Sequence, residues 1–211
     1  MDNSVNKKQK LFTSKIFNGY IIIFANQIKF GNMKKISLFF LLISTITFAS
    51  AQVFNTGQTL KPKAFSVGIE PAVFINGGAD FILFLHGGAG LAKGVDFGLT
   101  IGVLGPNEYF GADLEFALAK NMSIAAGAHH FGNFGIDGTF NLTFPIRQDV
   151  RLFTGADLDI NFPNNDVSFL LWLPIGVEVG LKSNMSFIFE AEIGLTSPSY
   201  HLIGGGLNFY F

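Results

Sequence analysis

Residues 95 to 103, VDFGLTIGV, place Val95, Phe97, Leu99, Ile101 and Val103 on one parity and Asp96, Gly98, Thr100 and Gly102 on the other. Successive side chains of a strand point to opposite faces, so this stretch has one wholly apolar face and one small, polar face carrying a carboxylate. Residues 136 to 144 repeat the pattern, with Ile136, Phe140, Leu142 and Phe144 opposed to Asp137, Thr139, Asn141 and Thr143. A soluble barrel would show the inverse, a greasy interior under a polar skin, and a chain with 14% charged residues cannot cover such a skin. The split calls for an apolar solvent outside. In lipid an open sheet edge leaves backbone groups unsatisfied, so the sheet has to close on itself.

The alternation runs in ten segments: 64 to 75, 80 to 91, 95 to 104, 108 to 118, 123 to 131, 134 to 144, 150 to 160, 167 to 180, 185 to 195 and 200 to 211. A tilted strand crosses a bilayer in about 9 to 11 residues, and most of these reach that length. Four of the turns between them carry a base, Lys93, Lys120, Arg147 or Lys182, and mark one rim. Five breaks rich in Gly, Asn and Pro mark the other: Asn76 to Ala79, Gly105 to Asn107, Gly132 and Asn133, Asn161 to Asp166, and Thr196 to Ser199. Nine connections give ten strands, and an even count puts both termini on the basic, periplasmic side. The second segment departs from the pattern, because FILFL is apolar on both parities and GGAGL follows it. If the first two segments do not form strands, the count falls to eight. The body of the chain has no run of about 18 apolar residues, which makes it poor material for a helical membrane protein. The expected fold is therefore all-β: a closed antiparallel up-and-down transmembrane β-barrel of about ten strands, with eight as the alternative.

Upstream of the barrel, residues 33 to 51 read MKKISLFFLLISTITFASA. Lys34 and Lys35 precede an apolar run from Ile36 to Phe48, too short to span a bilayer, and Ala49 and Ala51 supply the small residues of a signal-peptide cleavage site. Gln52 should begin the mature protein. Residues 1 to 32 match neither leader nor barrel and read as an N-terminal extension from a start taken at Met1 in place of Met33. Residues 52 to 63 form a short periplasmic segment, and 64 to 211 the barrel. With no Cys, disulfides and thiolate metal sites are excluded.

The last segment, YHLIGGGLNFYF, keeps Ile203, Leu207, Phe209 and Phe211 on one parity and Asn208 and Tyr210 on the other. This ending resembles the C-terminal strand of Gram-negative outer-membrane barrels, whose final Phe is the recognition signal of the assembly machinery. The resemblance implies that Phe209 and Phe211 form that signal, with the barrel-insertion machinery and outer-membrane lipid as partners. Leader, alternation and final Phe together make Gln52 to Phe211 similar to the small, porin-like or outer-membrane-protein-X-like barrels of Bacteroidetes-type bacteria. That implies an outer-membrane architecture and names no substrate.

Parity also fixes what should face the lumen: Glu70, Asp96, Asp113, Glu115, Asp137, Asp157, Asp159, Glu178, Glu190 and Glu192, with Arg151 as the one strand-borne base. All but one of the 15 acidic residues lie after residue 51, while seven of the 14 basic residues lie before it. From Gln52 onward the formal charge is therefore minus 7, against minus 1 for the whole chain. Crowded carboxylates repel one another, so protons, cations or water must screen them. The lumen reads as that of a small porin-like channel favouring cations. The alternatives are a non-conducting structural or adhesive barrel and an outer-membrane lipid-modifying enzyme. Phe110, Phe134, Phe162 and Phe169 near strand ends suit an interfacial aromatic girdle.

Chemistry has little to work with. His129 and His130 lie near the outer rim, and His86 and His201 approach that level if the register allows. Compared with lipid A deacylases, His130-Phe131-Gly132-Asn133 lacks the Ser, and compared with the ten-stranded omptins most acids lie too deep. Outer breaks of two to six residues offer little for a substrate cleft. Adjacent His residues on a strand point to opposite faces and cannot share a metal ion. No catalytic residue, cofactor or metal ligand is assigned, and the negative charge opposes nucleic-acid binding. N-terminal sequencing of the outer-membrane protein is expected to return Gln52; residues from Met1 to Met33 in that material would remove the leader.

Overall fold

The computed structural model describes residues 56–164 and 166–211, so the extension, the leader, Ala49, Ala51 and Gln52 lie outside the described residues. Ten strands follow one another: β1 (Phe65–Ile75), β2 (Ala79–Ala92), β3 (Val95–Val103), β4 (Tyr109–Ala119), β5 (Met122–Phe131), β6 (Asn133–Pro145), β7 (Val150–Asn161), β8 (Ser168–Lys182), β9 (Met185–Gly194) and β10 (His201–Tyr210). Each pairs antiparallel with its sequence neighbours, and β1 pairs with β10, which closes the barrel. The count is ten, which disposes of the eight-stranded alternative.

Local sequence explains the joints. Gly132, alone between β5 and β6, and Gly94 after Lys93 adopt φ of 72° and 76°, the left-handed region that a side chain disfavours. The basic turns are tight, and the pairings leading into three of them shift register by one residue at Gly90/Ala92, Ala117/Ala119 and Gly180/Lys182. Such bulges sharpen the twist where a strand must turn back.

The wall is polar inside and apolar outside. Val67 and Ile69 of β1, Phe81 and Leu85 of β2, Phe97 and Ile101 of β3, and Phe187 and Phe189 of β9 are all exposed, whereas their inward neighbours Glu70, Asp96 and Glu190 are buried. Phe110, Phe134, Phe162 and Phe169 stand exposed at the end where β1 finishes and β10 begins.

The interior is more filled than small inward residues suggest. At the end where β1 begins and β10 finishes, residues 56–60 lie within the barrel: Thr56 and Leu60 are each 1% exposed, and Leu60 packs with Ala64 and Tyr210. The segment is tied down by hydrogen bonds from Gly57 N to Thr143 Oγ1 (2.9 Å), from Leu60 N to Asp96 Oδ2 (2.6 Å) and from Arg151 Nη1 to Gln58 Oε1 (2.5 Å). It enters past Gly90, where a Cβ would stand 1.9 Å from the Lys61 carbonyl oxygen, so the GGAGL run of β2 is where the wall admits the plug. Phe153 and Ile188 fill the adjacent lumen.

Towards the other end, Ala72, Phe74, Ile82, Phe84 and Leu202 form an internal apolar cluster with Tyr109, Phe131 and Tyr200 packed against it. Phe74 meets Tyr200 edge-on at 4.6 Å between ring centroids and Phe131 at 5.5 Å. This cap explains why FILFL is apolar on both parities: Phe81, Leu83 and Leu85 face out while Ile82 and Phe84 serve the cap.

Close backbone approach makes some glycines obligatory. A Cβ at Gly155 would lie 2.1 Å from the Phe140 carbonyl oxygen, whereas one at Gly87 would meet nothing within 4 Å. Gly155→Val is expected to reduce the yield of folded, heat-modifiable barrel severely, with a loss of at least about 1 to 3 kcal/mol in urea unfolding, while Gly87→Ala folds as the wild type does.

Candidate functional site

Between the plug and the aromatic cap lies a cavity of about 190 Å3. Glu70, Asp96, Asp113, Glu115, Asp137, Asp157, Asp159, Glu190 and Glu192 all line it. Glu178 sits below, wholly buried, where it accepts from Arg151 Nη2 at 2.8 Å and from the Tyr210 hydroxyl at 3.0 Å. Arg151 is thus committed to Glu178 and to the plug residue Gln58, and it is not among the cavity's lining residues. The nine carboxylates face one another across a small space with His86 and His129 as the adjacent basic side chains.

Register decides which acids meet. The β3–β4 ladder sets Asp96 opposite Glu115, and the β6–β7 ladder sets Asp137 opposite Asp159 and Thr139 opposite Asp157. Several acids have neutral donors. Ser123 donates to Glu115, Thr139 donates to Asp157 at 2.6 Å, and the backbone N–H of Leu60 donates to Asp96. Hydroxyl and amide donors steady a carboxylate without cancelling its charge. Asn141 lines the same cavity at 2% exposure, and its Oδ1 has no hydrogen-bond partner.

The four histidines part company. His130 and His201 are exposed, His201 accepting from Gly194 N at 3.1 Å. His86 points inward, with Nε2 2.9 Å from Glu70 Oε2 and Nδ1 3.3 Å from Thr100 Oγ1. His129 is 5% exposed and belongs to a second group that sequence spacing did not reveal. Its Nδ1 is 3.0 Å from Asp137 Oδ1, and its Nε2 is 2.9 Å from Asn161 Oδ1 and 3.6 Å from Asp159 Oδ2. One ligating atom from each of His129, Asp137 and Asp159 can be chosen so that all lie within 4.8 Å of one another. The sequence assigned no metal ligand because it treated His129 with His130; the partners of His129 come from β6 and β7, eight and about thirty residues away. The ring stacks on Tyr109 at 5.8 Å and 15°. Its nitrogens face carboxylate and amide oxygens, whereas His86 lies between the Thr100 hydroxyl and the Glu70 carboxylate.

No protein-family model matches the chain, and no curated protein does. Among solved structures, the KdgM porin aligns over 69% of this chain and 99% of its own at 9% identity, with a TM-score of 0.43. A de novo designed transmembrane β-barrel aligns over 72% and 98% at 10% identity, TM-score 0.41. The outer membrane protein OprG from Pseudomonas aeruginosa aligns over 72% and 97% at 11% identity, TM-score 0.35. At such scores the assignment of function rests on this chain's own residues.

The Arg151–Glu178 pair offers a direct check on the lumen's electrostatics. Arg151→Met leaves a fully buried carboxylate without its cation, and urea unfolding in detergent micelles is expected to show a loss of roughly 3 to 5 kcal/mol. Adding Glu178→Gln should restore part of it, because removing both charges costs less than stranding one.

Proposed function

We propose that the protein is an outer-membrane barrel, with both termini periplasmic, whose lumen is an acidic compartment that favours cations and is shut at both ends in its resting conformation. The observation that carries this reading is the polarity of the wall: exposed Phe, Leu, Ile and Val form its outside, while nine carboxylates line a cavity of about 190 Å3 inside it. Lipid is the solvent that suits such an exterior, and fixed negative charge within a low-dielectric ring concentrates cations and repels anions. Phe209 and Phe211 as an assembly signal, and kinship with Bacteroidetes-type barrels, rest on the resemblance of the final strand and belong to the same proposal.

The sequence favours an open porin-like channel. The packing of residues 56–60 against Asp96, Thr143 and Arg151, and the cap around Phe74, support instead a barrel that does not conduct until both yield. Short connections at the far rim, which leave little for a substrate cleft, favour a non-enzymatic role. Negative charge disfavours nucleic acid as a partner.

Planar-bilayer recording tests the proposal. The wild type is expected to show no steady conductance. Leu60→Ser and Arg151→Gln, which loosen the plug, combined with Phe74→Ser, which breaches the cap, should open a small, cation-selective conductance. Its selectivity should weaken at high salt and on acidification, because screening and protonation remove the same field. Anion selectivity in that variant would overturn the acidic-compartment reading, and a large steady wild-type conductance would overturn the closed state.

A further inference from the structure

We infer that His129, Asp159 and Asn161 form a binding site for one divalent transition-metal ion, with Asp137 orienting the histidine. This deepens the reading of the lumen as a cation-favouring compartment by naming an ion class and its ligands.

Hydrogen-bond bookkeeping on one ring starts the argument. A carboxylate accepts only, so Asp137 Oδ1 at 3.0 Å assigns the proton of a neutral imidazole to Nδ1. Nε2 then presents a lone pair, and Asn161 Oδ1, itself an acceptor, stands 2.9 Å from it with Asp159 Oδ2 at 3.6 Å. In the neutral ring the Nε2 lone pair therefore faces two oxygens, which either a second ring proton or a bound cation satisfies. A cation seated beside all three resolves the conflict.

The spacing suits a small ion. Nitrogen and oxygen ligands at about 2.0 to 2.2 Å from one metal lie roughly 3 to 3.5 Å from each other, close to the 2.9 and 3.6 Å observed around Nε2. A carboxylate on the far nitrogen of a metal-bound histidine is the usual device for fixing tautomer and ring orientation. Mixed imidazole and oxygen donors favour Zn2+ or Mn2+ over the all-oxygen preference of Mg2+ and Ca2+.

The surroundings are shaped for the group. A Cβ at inward Gly135 would lie 2.1 Å from Asn161 Oδ1 and 2.5 Å from His129 Nε2, and one at Gly127 would lie 2.6 Å from Asp137 Oδ2, so two glycines clear the space these side chains occupy. His129, Asp159 and Asn161 also line a second cavity of about 190 Å3, towards the far rim, where ions or water can complete the coordination. Asp137 and Asp159 line the acidic chamber as well, which places the site at the junction of the two. The chamber makes its own demand for a cation: besides its nine carboxylates it holds the nine-tenths-buried Asn141, whose carbonyl oxygen has no partner.

The test uses barrel purified from membranes, stripped with a chelator and titrated calorimetrically with Zn2+ and Mn2+, with Mg2+ and Ca2+ for comparison. One equivalent of Zn2+ or Mn2+ should bind more tightly than Mg2+. His129→Ala and Asn161→Leu should each weaken binding at least tenfold, Asp137→Asn by about 10- to 100-fold, and exposed His130→Ala not at all. Should a variant fail to fold, pulsed electron paramagnetic resonance of the Mn2+-loaded wild type reads the ligand directly, with coupling to one imidazole nitrogen expected. Retained affinity in folded His129→Ala, an oxygen-only Mn2+ signal, or no binding would overturn the site; in the last case a protonated Nε2 donates to Asn161 Oδ1. None of these outcomes bears on the bilayer experiment, so the site and the acidic compartment stand or fall separately.

Discussion

Closure of the backbone ladder between β1 and β10 is the interaction on which everything else depends. Ser66 faces Tyr210 at one end of that seam and Ile75 faces His201 at the other, and paired hydrogen bonds between Phe65 and Phe211 finish it. An unclosed ring would present two rows of unpaired N–H and C=O groups to an apolar solvent, at several kcal/mol for each group. Closure also converts a parity into a compartment. Once the sheet is a ring, every second residue belongs to one enclosed space, and side chains far apart in sequence are forced to share it.

What that space contains is a compromise between filling and charge. A ring of ten strands encloses more volume than Gly, Ala, Ser and Thr fill, and the chain fills the two ends differently. At the end where β1 begins it turns residues 56–60 back into the lumen and joins them to Thr143, Asp96 and Arg151; towards the far end it stacks Phe74, Tyr109, Phe131 and Tyr200 inward. The carboxylates are left between, where neighbouring hydroxyl and amide donors hold several of them in place. Arg151 does not neutralise this charge, because Glu178 and Gln58 already occupy its guanidinium. Among its lining residues His86, set on Glu70, is the basic side chain, so carboxylates outnumber bases in the chamber.

Much of the fold was legible because the strand period is two and the solvent on each side is different. Val95 to Val103 sorted itself without ambiguity, the basic turns and Gly-Asn-Pro breaks punctuated the chain, and the strand limits fall within two residues of those read from the pattern. Parity likewise assigned Glu70 through Glu192 to one face. Less was legible where a residue's reason lies outside its own strand. Ile82 and Phe84 looked like excess apolar bulk until the internal cap gave them a purpose, Gly90 looked like a weak point until the Lys61 carbonyl was seen to pass it, and residues 56–60 looked like a periplasmic tail.

The histidines show the division most clearly. Sequence alone determined that His129 and His130 point to opposite faces, since adjacent strand residues must, and it determined the side on which each acid lies. Only the tertiary structure decided that Asp137 of β6 and Asp159 and Asn161 of β7 arrive beside His129, and that His86 meets Glu70 while His130 and His201 remain outside. The physical reason is that parity is a property of one strand, fixed by its pleat. Register is a property of two strands, fixed by turn length, bulge and hydrogen-bond pairing. A site assembled across β5, β6 and β7 compounds two registers, and no spacing along a single stretch of chain records that.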